Sequence, residues 1–499
     1  MRPDKRITRR RFIREAGGTA ALAAFGGIGI GSRKPGVVEA SPNLVVVYPD
    51  QMRGQAMGFM GQEPVLTPVL DGFSRESVVF TEAVSNYPVC SPSRAMLLTM
   101  KYPHRNRVLG NCNSESAPHG YELRTDEVCW SDVLKAKGYS LGYIGKWHLD
   151  SPHKPYVKTS NNTEDFAWNE WTHPDRRHGF DFWYAYGTYD QHLRPFYWTT
   201  KASRDEGRFV DEWGPIHEAK MAVRYIRNED GKFRDPEKPF ALFVAMNPPH
   251  MPYSQVPPDY LERYEDMPLD RLTRRPNIPP ANEKWGEYYR DNIRGYYAMI
   301  SGVDEQFGRI LAALEETDLK DNTIVVFHSD HGNCLGIHGE ISKNNPYEES
   351  MRVPLLVRWP GRFRPRRENL LVSTPDIGPT LLEAMGLRAA IPTHVQGTSY
   401  AVDLLGGKGS RPSSQLYVWT PVGKPGWGKR GVRTLGHTLV MTCLENSPPE
   451  VVLFDRIRDP YQTKNFAQEG YETVRRLKRD ELIPWLEKTR DPWIENLAG

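Results

Sequence analysis

The segment NYPVCSPSRAMLL, residues 86–98, sets Cys90 directly before Ser91, Pro92, Ser93 and Arg94. Proline is tolerated in the first turn of a helix, where its missing N–H has no intrahelical acceptor. Cys90 is therefore expected where the chain turns into a helix, with free backbone donors and the fixed cation of Arg94 close by. Such a terminus favours an anion. Two acids share a second pattern. Asp50 ends the β-branched run NLVVVYPDQ with Gln51 beside it, and Asp330 ends NTIVVFHSDHG with His331 beside it. Two carboxylates and an amide oxygen suit a hard divalent cation such as Ca2+, for which an imidazole is a less usual ligand. The bland alternative for each acid is a helix N-cap or a loop anchor.

Cations complete the pattern. Arg94, Lys146 and Lys343 sit in polar loops or helix starts, and Lys146 lies between Gly145 and Trp147 directly after an apolar run. A lone lysine is ordinarily a solvated surface charge. Beside a metal, three such cations would clamp a tetrahedral oxyanion and neutralise its transition state. His148 and His250 also end apolar runs and have the chemistry to move protons.

These residues need a scaffold that brings strand ends together. NLVVV, VVFTEAV, the run before Lys146, KPFALFVA, NTIVVFH and RVPLLVRW read as short buried strands. LTPVLDGFSRES, with Thr67 as N-cap and Pro68 at its start, reads as a helix, as do the segment after Cys129 and residues 296–319. Alternating strands and helices predict an α/β sheet covered on both faces. Ligands bind such sheets at the carboxyl ends of strands, where the polar residues above fall. Residues 154–235, aromatic and charged without periodicity, read as long insertions near the site. LLGGKGSRPSSQ, residues 404–415, reads as a boundary. After it comes a small antiparallel sheet with a helix near 471–488. The domains are therefore drawn at residues 41–405 and 406–499.

The 499 residues are 39% hydrophobic and 25% charged, as in a folded soluble chain. Residues 1–40 differ. TRRRFI and the short, glycine-rich apolar stretch after it resemble a twin-arginine export signal, with a small-residue cleavage site after Ala40. This predicts passage through twin-arginine export machinery to the periplasm or the cell exterior. The segment holds nine Lys/Arg against three Asp/Glu, a surplus of +6; the chain totals +3, so the remainder carries −3. The basic character thus belongs to the signal and predicts no nucleic-acid surface. No later apolar segment is long enough to span a membrane. Five cysteines, an odd and scattered set, predict no disulfide framework.

CSPSR matches the Cys-x-Pro-x-Arg core of the sulfatases. GYSLGYIGKWH (138–148) resembles their second motif. YPDQ, NPPH, SDHG with GIHGE, KNNPYEESMRVPLLVRWPG (343–361) and LFDRIRDPYQTKNFA (453–467) follow in the family's order. The resemblance implies the alkaline-phosphatase-like fold: a large mixed sheet flanked by helices, with a smaller C-terminal α+β subdomain. It also implies that a separate formylglycine-generating enzyme oxidises Cys90 to an aldehyde. Once hydrated, one hydroxyl attacks sulfur and the other later expels sulfate, a release step that serine lacks. By position, Asp50, Gln51, Asp330 and His331 would hold Ca2+. Arg94 would orient the formylglycine, and Lys146 and Lys343 would bind sulfate. His148 would assist the diol, and His250 or Lys343 would protonate the leaving alcohol. Three positions depart from the family's pattern: Gln51 replaces a frequent aspartate, Met100 a glycine and Leu141 a Ser/Thr.

The preferred substrate is a sulfated glycan. His192 and Arg194, in the aromatic stretch 180–198, are read as contacts to a sugar or its carboxylate. A phosphonate monoester or phosphodiester hydrolase of the same superfamily is the nearest rival. An inactive binding protein and a cysteine hydrolase are the others. A two-metal phosphatase would need a Ser/Thr nucleophile where Cys90 stands.

Overall fold

Runs such as NLVVV become the middle of a sheet because both of their faces are covered, which removes the need for alternation. The structure, a computed structural model, describes residues 41–497. The export signal expected over residues 1–40 lies outside the described residues. Ten strands build the main sheet: β1 (Asn43–Val47), β2 (Val78–Phe80), β3 (Ser140–Lys146), β4 (Phe182–Tyr186), β5 (Phe196–Thr199), β6 (Arg208–Phe209), β7 (Phe240–Ala245), β8 (Thr323–His328), β9 (Leu355–Arg358) and β10 (Arg366–Glu368). Their spatial order is β10-β2-β9-β8-β1-β7-β3-β4-β5-β6. The central five, β8-β1-β7-β3-β4, are parallel, with Val46 opposite both Phe243 and Val326. β9 runs antiparallel to β8 and to β2, and β5 antiparallel to β4, so the sheet is mixed.

Alternate residues of β1 serve two cores. Val45 and Val47 face the layer holding helices Pro68–Arg75, Gly214–Arg227 and Lys284–Glu316. Leu44 and Val46 face the layer of Cys90–Thr99, Trp130–Ala136 and Ile377–Ala384. Each fully buried aliphatic side chain contributes about 1.5–3 kcal/mol. Gly142 lets the Gly214–Arg227 helix come close: a Cβ there would lie 2.8 Å from the ring of Tyr225.

Residues 154–235 are not simply insertions. They supply β4, β5, β6 and the Gly214–Arg227 helix. Their strands lacked a period-2 signature because aromatic residues are buried on both faces, as in WYAY of β4.

Thr67 does not cap the Pro68–Arg75 helix. Its hydroxyl turns instead to Asp71 and to the Gly58 N–H. Asp304, from the long helix, takes the capping role and accepts from Val69 N and Leu70 N at 3.0 and 2.7 Å. Burial pushes the Asp304 carboxyl up from 3.8 to about 7, against those two donors. The folded chain therefore binds more protons here than the unfolded chain between pH of about 4 and about 7, and stability falls as pH rises through that window. Denaturant unfolding of an Asp304→Asn variant should show a shallower decline over the same range. Equal pH slopes for variant and wild type would refute this.

The C-terminal sheet is antiparallel: β11 (Gln415–Trp419), β12 (Gly428–Arg433), β13 (His437–Cys443) and β14 (Glu450–Asp455). Together with the helical residues Leu477, Leu482 and Leu486 it packs on Tyr87, Val89, Met96 and Tyr102, around the start of the Cys90 helix. Asn86 ties the two sheets together, donating to Leu416 O at 2.7 Å and accepting from Val418 N through its carbonyl at 2.8 Å. The small sheet thus braces the loop that delivers Cys90. Among the described residues no helix is long and apolar enough to cross a membrane. No disulfide joins the five cysteines, all of them buried.

Candidate active site

Asp50 follows β1, Asp330 follows β8, Lys146 ends β3 and Asn247 follows β7. Four neighbouring parallel strands therefore empty their polar ends into one place. The Cys90–Thr99 helix starts there, with Cys90 as its first residue and every residue buried. Its terminus is less open to an anion than the sequence suggests, because Ser91 N–H already donates to Asn111 Oδ1 at 3.1 Å.

Around Cys90 Sγ stand Lys343 Nζ at 3.3 Å, His331 Nε2 at 3.4 Å, Asp50 Oδ1 at 3.8 Å and Lys146 Nζ at 3.9 Å. Lys146 Nζ also meets Asp50 Oδ2 at 2.7 Å and Asn247 Oδ1 at 3.0 Å. Arg94 spans the acids: NH2 lies 3.1 Å from Asp50 Oδ2 and 2.9 Å from Asp330 Oδ2, and NH1 donates to Lys146 O at 2.6 Å. Lys343 Nζ donates to Gln51 Oε1 at 2.9 Å, and the Gln51 amide donates to Tyr253 OH at 3.0 Å.

Two of these residues hold left-handed backbone, Gln51 with φ 70 and His148 with φ 54. Each such residue costs on the order of 1–3 kcal/mol and persists only where its surroundings enforce it. For Gln51 the enforcement is visible: its N–H donates to Asp330 Oδ1 at 3.1 Å, and its carbonyl accepts from Tyr296 OH at 2.9 Å. Met100, with φ 57, ends the Cys90 helix in the same conformation. This explains why a glycine suits that position.

Charges here are strongly coupled. Burial pushes the Asp50 carboxyl up, but Lys146, His250, Lys343 and His331 outweigh it and hold the group well below the usual range. Asp330 goes the other way, to about 6, through burial and then the like charge of Asp50. Burial and Asp50 both oppose ionisation of Cys90, yet Lys146, Lys343 and His331 draw its thiol well below the ordinary range. Asp50, Cys90, Asp330 and His331 offer one ligand atom each, all within 4.8 Å of one another and all buried. Two carboxylates and an imidazole so close, with the Gln51 amide beside them, fit a divalent cation.

His148 is buried; its Nε2 lies 3.2 Å from Cys112 O, and its Nδ1 has no hydrogen-bond partner among the described residues. His250 lies at the rim, its Nδ1 2.8 Å from Met251 O and 3.4 Å from Asp190 Oδ1. Of the two residues read as sugar contacts, one stands beside the site and the other faces the surface. His192 is buried with Nε2 2.8 Å from His250 O, so its ring braces the His250 loop. Arg194 is exposed, pairs with Asp211 at 2.7 Å and lies over Phe209. Three supporting residues escaped the sequence reading. Asn247 carried the same strand-end signal as Asp50. Asp190 and Tyr253 lie in loops and carried none.

A fold of this kind with this cluster defines a hydrolase of the alkaline-phosphatase-like class, and comparison narrows it. The Sulfatase family model matches residues 42–387, and the model for the C-terminal part of N-sulphoglucosamine sulphohydrolase matches residues 336–487. An endo-4-O-sulfatase of Bacteroides thetaiotaomicron is 41% identical over 489 residues, covering 91% of this chain and 93% of the relative. An ulvan-active sulfatase of Formosa agariphila is 31% identical, covering 87% and 78%. A solved Bacteroides thetaiotaomicron structure, described with the metabolism of multiple glycosaminoglycans, superposes with TM-score 0.84 at 39% identity, covering 91% and 98%. The chain belongs to the sulfatase family and is a sulfuric ester hydrolase.

Proposed function

We propose that this chain removes sulfate from an acidic polysaccharide, a glycosaminoglycan in the first instance, using formylglycine at position 90 beside Ca2+. The observation that carries the reading is Cys90 Sγ ringed by Lys146, Lys343 and His331, with two acids behind them. The named activities of the two curated relatives, on a 4-O-sulfate and on ulvan, support a glycan substrate. The proposal includes conversion of Cys90 by a formylglycine-generating enzyme, then twin-arginine export to the periplasm or the cell exterior.

Hydrated formylglycine would supply one hydroxyl for attack on sulfur and a second for sulfate release, and a cation, which Asp50, Gln51, Asp330 and His331 would hold, would supply charge neutralisation. The chain's own groups do the rest. Lys146 and Lys343 are near enough to residue 90 to donate to sulfate oxygens bound there. Arg94 holds both carboxylates in place and so fixes the site's geometry. The buried, unpartnered Nδ1 of His148 is suited to take a proton from a hydroxyl on residue 90. His250 keeps Nδ1 engaged and Nε2 available to protonate the leaving alcohol. Burial, the largest influence on His250, and the two lysines lower its pKa, but Asp190 and Asp50 outweigh them and raise it.

Lys343→Met should lower kcat/KM about 10²–10³-fold, the cost of removing one preorganised donor to a developing anion. A loss below about threefold, measured on a sulfated oligosaccharide, would remove Lys343 from the clamp. The function itself is tested with chain co-expressed with a converting enzyme, assayed on sulfated glycosaminoglycans and on an aryl phosphonate ester. Faster turnover of the phosphonate would favour the rival hydrolase. Chelation should stop sulfate release, and added Ca2+ should restore it.

A further inference from the structure

A second charged site lies on the same edge of the sheet. A cavity of about 610 Å³ opens between the loop after β1, the end of β2, the segment entering β9 and the C-terminal subdomain. Four arginines line it: Arg274, Arg275, Arg352 and Arg456. Their partners do not balance them. Arg433 and Arg456 share Glu82 and Glu348. Arg53 and Arg275 share Glu63, and Arg275 also pairs with Glu349. Arg352 reaches the Gln62 amide oxygen and only approaches Glu348, at 3.9 Å. Arg274 donates to Gly61 O and meets no carboxylate among the described residues. Six guanidiniums thus face four carboxylates, leaving two positive charges in excess.

The excess coincides with unmet donors. The Nε atoms of Arg275, Arg352 and Arg456 are buried without a hydrogen-bond partner. The side chains of Arg275 and Arg456 are only 8% and 9% exposed. Unpaired buried donors are rare, and those of arginine match the planar or tetrahedral oxygens of carboxylate and sulfate. One ion-pair chain links the cavity wall to the loop after β1 that carries Gln51: Arg53, two residues beyond Gln51, pairs with Glu63, which also pairs with Arg275 of the wall.

We propose that this cavity is an accessory oxyanion subsite, which takes a sulfate or carboxylate group carried on the glycan away from the ester being cleaved. The inference rests on the glycan reading above. Its test therefore includes a small substrate that cannot reach the cavity. Arg274→Gln and Arg352→Gln are compared with wild type on a sulfated glycosaminoglycan oligosaccharide and on an aryl sulfate. The ratio of kcat/KM on the oligosaccharide to that on the aryl sulfate should fall about tenfold, the size expected for one charge-assisted contact. Exposed Arg274 gives a variant that folds if Arg352→Gln does not. Sodium sulfate protection against heat forms the second arm. An unchanged ratio with protection of wild type exceeding that of the variants would assign the cavity to free sulfate. An unchanged ratio with equal protection overturns the proposal. No turnover of any glycan by wild type, with the aryl sulfate cleaved, would instead reject the glycan reading.

Discussion

Replacing Cys90 with alanine should abolish sulfate release, by at least about 10⁴-fold, while the chain stays folded. The loss is large because four ionisable groups converge on this one side chain. Lys343, His331, Asp50 and Lys146 all lie within 3.9 Å of its sulfur. The fold should survive because alanine is favourable in a helix and the side chain removed is small. Cys90→Ser is the sharper test. A serine hydroxyl has no second oxygen from which sulfate can be expelled, so turnover should stop even if a sulfate ester forms. Full activity of the serine variant, after co-expression with a Cys-specific converting enzyme, would count decisively against formylglycine. Peptide mass analysis of active wild type should show the thiol at position 90 replaced by an aldehyde.

The second large effect is on stability. Arg94→Ala should lower the unfolding free energy by about 3–5 kcal/mol, the usual result of removing one partner from a buried ion cluster. Arg94 is 1% exposed and bridges Asp50 and Asp330, which are themselves buried. Without it, two neighbouring carboxylates would face each other with less compensation. Lysine should restore part of the stability but not the geometry, since one ammonium cannot reproduce the guanidinium fork. Denaturant unfolding and sulfate release measured on Arg94→Ala and Arg94→Lys separate the two effects. An alanine variant as stable as wild type would show that the cluster does not depend on this bridge.

Much of the architecture was legible because burial on both faces leaves a plain mark. The strands ending at Asp50, Lys146 and Asp330 are short apolar runs closed by polar residues, and each became a central parallel strand. The edge of the sheet was not legible. β4 and β5 are aromatic on both faces, so they show neither alternation nor an aliphatic run. Capping was misread at Thr67 for a related reason: the acid that caps the helix, Asp304, is supplied by another helix more than two hundred residues later.

The amino-acid order by itself determined the chemistry available: a cysteine at a helix start, acids and amines at strand ends, and the family to which those motifs belong. Those are local facts, set by residue type and spacing. Tertiary structure alone decided which groups meet. It placed Lys343 on Gln51, turned His192 under the His250 loop, and gathered arginines from distant segments around one cavity. Such outcomes depend on strand order and on where burial leaves a charge without a partner, and neither is written in any short stretch of chain.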